Sequence, residues 1–133
     1  MIAFEIPGEP VAFARAGSNG KRRYTPTPQA SYMRAVGFKA KEAMRGVKIF
    51  KGPVEVIIRA SYVPPKSWKP AKRLSAKWKT STPDADNIAK LVKDAIKGIV
   101  YRDDAQVASL NVKKKYGVYA SLVVTVSDLE NAS

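Results

Sequence analysis

The sequence predicts a single α/β domain of the α+β kind, a mixed sheet with helices packed on it in the order β-α-β-α-β-β. Two observations carry this. Alternating or β-branched apolar runs fall at 2–6, 53–63, 105–115 and 118–126, and apolar residues return at helical spacing over 29–45 and 86–98. No internal repeat or low-complexity linker interrupts them, and 133 residues suffice for one domain with its own core. The domain is expected to occupy 1–126, with 127–133 as a loose tail.

Residues 2–6 put Ile2, Phe4 and Ile6 on one side of a short strand, which Pro7, Gly8 and Pro10 end. Residues 7–28 read as a long loop carrying Arg15, Lys21, Arg22 and Arg23, with Gly17 and Gly20 for flexibility. A loop this long in a small domain is functional or disordered. Its arginines suit phosphate contact, and a solvated mobile loop is the alternative. The helix over 29–45 has Tyr32, Val36, Ala40 and Ala43 on its apolar stripe, Met33 and Met44 beside it, and Gly46 as its stop. Arg34, Lys39, Lys41 and Arg45 leave it a basic polar side. A β-branched strand follows at 53–63.

Positions 64–83 hold Lys66, Lys69, Lys72, Arg73, Lys77, Lys79, Trp68 and Trp78 and no acid. Prolines 64, 65, 70 and 83 punctuate the stretch, and 71–78 has room for two helical turns. Cations interleaved with indoles suit single-stranded or distorted nucleic acid, charge for phosphates and a ring face for an unstacked base. Packing against the domain is the other reading of each tryptophan. The second helix, 86–98, repeats Ile88, Leu91, Val92, Ala95, Ile96 and Ile99, with Asp86 or Asn87 as N-cap and Gly98 at its end. The strands 105–115 and 118–126 are expected to form a hairpin around Tyr116-Gly117.

Composition narrows the chemistry. The chain has no cysteine and no histidine, which excludes disulfides, thiolate metal sites, His-based triads and the usual zinc sites. Acid–base work is left to Asp, Glu, Lys, Tyr or a metal ion. No apolar run approaches the ~20 residues that span a bilayer, and MIAFEIPGEP does not read as a signal peptide. A soluble, intracellular, cytoplasmic protein is expected. A formal net charge of +13 favours a polyanionic partner, nucleic acid before membrane, because the cations are spread over loops and strand ends rather than along one amphipathic helix.

Against this basic background, five of the 11 acidic residues (Asp84, Asp86, Asp94, Asp103 and Asp104) fall between positions 84 and 104. Carboxylates gathered together repel unless a cation or proton lies between them, and for a phosphate-binding chain a hard divalent metal fits. Asp84 and Asp86 flank one residue, so in extended backbone they point the same way, just ahead of a helix N-terminus. Lys90 follows Asp86 by one helical turn, and Asp94 follows Lys90 by another. The set is either a cation held beside a metal site or a surface ion-pair ladder. Asp103 and Asp104 open the next strand with side chains to opposite faces, so one of them can join the first pair. A helix of this length is roughly 20 Å long. Asp104 therefore returns to the site within its own chain or meets one in a second subunit.

Asp84-x-Asp86-Asn87-x-x-Lys90, then Asp94, then Asp103-Asp104-x-Gln106-Val107 resembles the RusA family of Holliday junction resolvases of bacteria and their phages. Pro7-Gly8-x-Pro10, Ser67-Trp68, Pro83 and Lys114-Lys115-Tyr116-Gly117 extend the likeness over nearly the whole chain. The resemblance implies a homodimeric endonuclease that uses Mg2+, with Mn2+ as a substitute, on four-way or branched DNA, in recombination and repair. It implies Asp84, Asp86 and Asp104 as metal ligands and Lys90 as the catalytic cation. Asp103, Asn87 and Asp94 stand around them. Arg15, Arg22, Arg23, Lys66, Lys69, Lys72, Arg73, Lys77, Trp68 and Trp78 are expected to hold the DNA. Thr82 departs from the family pattern, in which a basic residue often precedes Pro-Asp, and removes one expected phosphate contact. A nuclease for other branched or single-stranded DNA and a non-catalytic binding module remain the competing readings.

Overall fold

The β-branched run after Pro53 becomes an inner strand of the sheet, apolar on one face and mixed on the other. The computed structural model describes the backbone of residues 1–13, 17–19, 22–24 and 27–130, and the side chains of 1–13 and 28–130. In chain order the elements are β1 (Ile2–Pro7), β2 (Gly17–Asn19), β3 (Arg22–Tyr24), α1 (Thr27–Ala43), β4 (Val54–Tyr62), α2 (Pro70–Ser75) and α3 (Ala85–Ile96). A 3-10 turn (Asp104–Gln106) leads into β5 (Val107–Tyr116), and β6 (Ser121–Asp128) closes the set. The four-stranded sheet has the order β1-β6-β4-β5, antiparallel except for the parallel pair β4/β5, so it is mixed as expected.

Four expectations are corrected. The stretch read as one loop at 7–28 contains the antiparallel pair β2/β3 and the start of α1. The strands at the C-terminal end do not form a hairpin: β4 lies between them, pairing with β5 on one side and β6 on the other. Crossing one strand means moving about 10 Å sideways, and the chain does so past the end of β4, where Gly117 N donates to Tyr62 O at 2.8 Å. Asp103 and Asp104 do not open a strand but form the 3-10 turn ahead of it. Ser127 and Asp128, assigned to a tail, end β6, and Leu129 N donates to Pro53 O at 3.0 Å; residues 131–133 lie outside the described ones.

The core sits between one sheet face and the helix pair. Val54, Val56, Ile58, Ala60 and Tyr62 of β4, Leu122, Val124 and Val126 of β6, and Ile2, Phe4 and Ile6 of β1 point the same way. They meet Val36 and Ala40 of α1 and Ile88, Leu91, Val92 and Ile96 of α3. Gly37 lies in the middle of α1 where it faces α3, with Ala95 O 3.4 Å from the position a Cβ would take. Register then places Glu55, Ile57, Arg59 and Ser61 of β4 on the opposite face with Ser109, Asn111, Lys113 and Lys115 of β5, and Ser109 Oγ donates to Glu55 Oε2 there at 2.8 Å.

Candidate active site

Helix α3 carries the acidic stretch, and its first turn is placed by the edge of β5. Lys114 Nζ donates to both Ser81 O and Pro83 O at 2.8 Å, and Lys79 N donates to Lys114 O at 3.1 Å, so the approach segment is strapped along β5. The Thr82-Pro83 peptide bond is cis. Hydrogen bonds to a charged group contribute about 1.5–3 kcal/mol each when buried. Lys114→Met is expected to lower stability by about 1.5 kcal/mol in urea unfolding, since the residues entering Asp84 lose their anchor.

Asp84, not Asp86 or Asn87, is the N-cap residue, extended at φ −72° and ψ 147°, and its side chain makes no capping bond. Asp86 lies in the first helical turn, where negative charge is favoured by the helix dipole. The two carboxylates therefore approach the same helix end from a cap and a turn, rather than as alternate residues of an extended strand. Neither makes a hydrogen bond or ion pair among the described residues.

A cleft of about 550 Å3 runs along the outer side of α3, lined by Asp86, Asn87, Lys90, Asp94 and Asp104 among others. Asp84 is not in its lining. Asp104 enters at the far end, where Tyr101 Oη donates to Asp104 Oδ1 at 3.3 Å and has Lys93 O at 3.5 Å as a second acceptor. Tyr101 is fully buried, and that burial, then the Asp104 charge, raises its pKa well above the ordinary phenol range, so it remains a neutral donor. Lys93 is seven residues past Asp86, about 10 Å along the axis. Accordingly, among the described residues no three carboxylates lie close enough to hold one ion.

Lys90 is exposed, and its ammonium lies 4.1 Å from the centroid of the Phe13 ring. The alternative, an ion-pair ladder with Asp86 and Asp94, is not formed: among the described residues the ion pair within 4.0 Å is Lys39 with Glu42. Phe13 is itself fixed by its backbone N–H donating to Asn87 O at 3.0 Å. Sequence reading missed Phe13, since one aromatic in an irregular segment has no period to announce it.

Asp103 serves the turn. Its Oδ1 accepts from Ala105 N at 3.1 Å, and Gln106 Oε1 accepts from Asp103 N at 2.9 Å, a complete capping box. Gln106 Nε2 donates to Phe50 O and Gly52 O, both at 2.9 Å, tying the turn that carries Asp104 to the start of β4. The Asp-x-x-Gln spacing was readable as this box. Gly98, at φ 82°, makes the preceding reversal with its N–H donating to Tyr101 O at 2.7 Å.

The two tryptophans part company. Trp68 is half-buried, edge-on to Tyr116 at 5.4 Å, with Lys72 Nζ 4.0 Å above it. Trp78 is 51% exposed. Lys66, Lys69, Lys72 and Lys77 are exposed, while Arg73 is half-buried beside an apolar cleft of about 510 Å3 that also includes Val63, Leu74 and Val118. That cleft holds no carboxylate and lies at the other end of β5. Arg15 lies outside the described residues, and Arg22 and Arg23 are placed by backbone alone, on β3.

Residues 7–127 match the family described as Endodeoxyribonuclease RusA. The chain belongs to the RusA endodeoxyribonuclease family. It is also 32% identical over 137 aligned residues, covering 96% of each chain, to the uncharacterized protein YqaN of Bacillus subtilis (strain 168). The RusA match contains β4, β5 and all of β6 but its last residue, with only Pro7 of β1, and it contains all of α3 and every acidic residue of the cleft. Among the described residues, no helix is long and apolar enough to cross a membrane.

Proposed function

We propose that the protein is a Mg2+-dependent endonuclease that resolves four-way DNA junctions by paired nicks, acting as a homodimer. The observation that carries this reading is RusA family membership over 7–127 together with Asp84, Asp86 and Lys90 on the cap and first half of α3, all three side chains exposed. Asp84, Asp86 and Asp104 would hold the divalent ion, and Mn2+ would serve in place of Mg2+. The donor set fits, being hard carboxylate oxygens, two of them free of other partners among the described residues. When bound, such an ion activates water and offsets charge on the phosphodiester. The distance along α3 leaves two routes to a third ligand, movement of the Asp104 turn or an Asp104 from a second copy. Lys90 places a positive charge beside the phosphate, and the α3 N-terminus adds its dipole. Two-fold symmetry of a dimer would match a two-fold junction and give paired cuts.

The lack of a three-carboxylate group among the described residues favours, as the second reading, a binding module whose acids do not act on DNA. Nicking of a synthetic four-way junction, a single-stranded flap and a linear duplex, each with and without Mg2+, separates the readings. The resolvase cuts the junction symmetrically in Mg2+ and spares duplex. Preference for the flap assigns another branched substrate, and absence of any cut assigns a binding module.

Binding is expected to weaken steeply with salt. Each phosphate contact contributes about 0.9 to the slope of log affinity against log salt. Replacing the exposed Lys66, Lys69 and Lys72 with Ala should flatten that slope by about 2–3 units. An unchanged slope in a filter-binding series would move the DNA away from this loop.

A further inference from the structure

The second sheet face, away from α1 and α3, gathers charge that the carboxylate cleft does not use. Arg59 of β4 is paired in register with Lys113 of β5, and Ser61 with Lys115. These four residues line a hollow of about 260 Å3. Cations placed side by side on neighbouring strands repel, and none of these three makes an ion pair among the described residues. Trp78 is bridged to Lys115 as an added antiparallel pair, so its side chain shares that face. Lys115 Nζ lies 4.7 Å from the centroid of its ring.

We infer that Trp78, Arg59, Lys113 and Lys115 form a binding site for single-stranded DNA on this face, separated from the carboxylate cleft by the thickness of the sheet. Lys113 and Lys115 are two residues apart, about 6.7 Å along the strand, and the row of cations ends at the half-exposed indole. An unpaired base stacks on the indole while the backbone on either side meets the cations. A duplex keeps its bases stacked and hides their faces, so the indole selects an unpaired strand. A strand held here stands on the far side of β5 from the proposed nicking residues. The site therefore keeps an open strand of branched DNA away from them, and its existence does not require the nicking reading to hold.

The chain has two tryptophans, so Trp68→Phe leaves Trp78 as the sole indole emitter. That variant is titrated with oligothymidylate and with an abasic oligonucleotide of equal length. Oligothymidylate is expected to quench Trp78 and to bind about 10-fold tighter than the abasic strand. Arg59→Gln/Lys113→Gln/Lys115→Gln is expected to reduce the salt slope by about 2, at roughly 0.7 per single-strand contact. Should Trp68→Phe fail to fold, wild type is compared with Trp78→Leu, in which most of the quenching must disappear. Equal quenching and affinity with the abasic strand, an unchanged slope in the triple variant, or equal quenching by polyglutamate of matched charge overturns the inference. Asp84→Asn should quench as wild type does. A wild type that nicks no junction would remove the proposed function and leave this binding result standing.

Discussion

Asp84→Asn and Asp86→Asn are each expected to abolish junction nicking while junction binding persists or tightens. The structure makes this test clean. Asp84 is an N-cap whose carboxylate makes no capping bond, and Asn serves that position as well as Asp does. Asp86 is exposed in the first turn with no partner among the described residues. Surface changes of this kind move stability by within about 0.5 kcal/mol, so lost activity cannot be laid to unfolding. Each substitution removes a negative charge from a place where phosphate must come, which favours binding. It also removes a hard oxygen ligand, and a fall of about 10³-fold or more in single-turnover rate is expected if a divalent ion does the chemistry there. Gel shift without metal and single-turnover nicking in Mg2+ measure the two effects separately. A near wild-type rate from either variant would show that its carboxylate holds no essential ion.

The parts legible in the sequence are those written in local periodicity. Ile88, Leu91, Val92 and Ile96 announce α3 because burial of one helix face repeats at helical spacing, and all four are buried. Alternation in 2–6 likewise gives the buried side of β1. Which strand lies beside which is not local. The run at 118–126 has the same alternation whether it pairs with β5 or crosses β4, and only the strand pairing in the folded sheet reveals the crossing. The same limit governs the site. Asp84, Asp86 and Lys90 are near in sequence, and the cap and first half of α3 carry all three. Asp104 is placed by Tyr101, Gly98 and the Gln106 clamp, none of which lies in the Asp84–Lys90 stretch, and Tyr101 links it to Lys93 O. The fate of each tryptophan depended on which side of the sheet its segment crosses, which composition does not encode.

Lys90→Ala is expected to lower the nicking rate by about 10²-fold, with fold and junction affinity nearly unchanged. The sequence left two roles for this residue, and the structure removes the support for one of them. A ladder member would be paired with Asp86 or Asp94. Lys90 is paired with neither among the described residues and lies instead on the Phe13 ring at 4.1 Å. A cation over an aromatic face at an exposed site gains about 0.5–1 kcal/mol, enough to favour one position for the ammonium while leaving its charge free for phosphate. Lys90→Arg retains charge but presents a planar fork in place of a compact ammonium, so it should recover part of the rate and not all of it. Phe13→Leu keeps Lys90 and removes the surface it rests on. It is expected to slow nicking several-fold and to add nothing further in the Lys90→Ala background, because both changes act through one ammonium. Single-turnover rates for the four members of that cycle at saturating Mg2+ decide the matter. A wild-type rate for Lys90→Ala would make Lys90 an ordinary surface lysine, and independent effects of the two substitutions would separate Phe13 from the charge it carries.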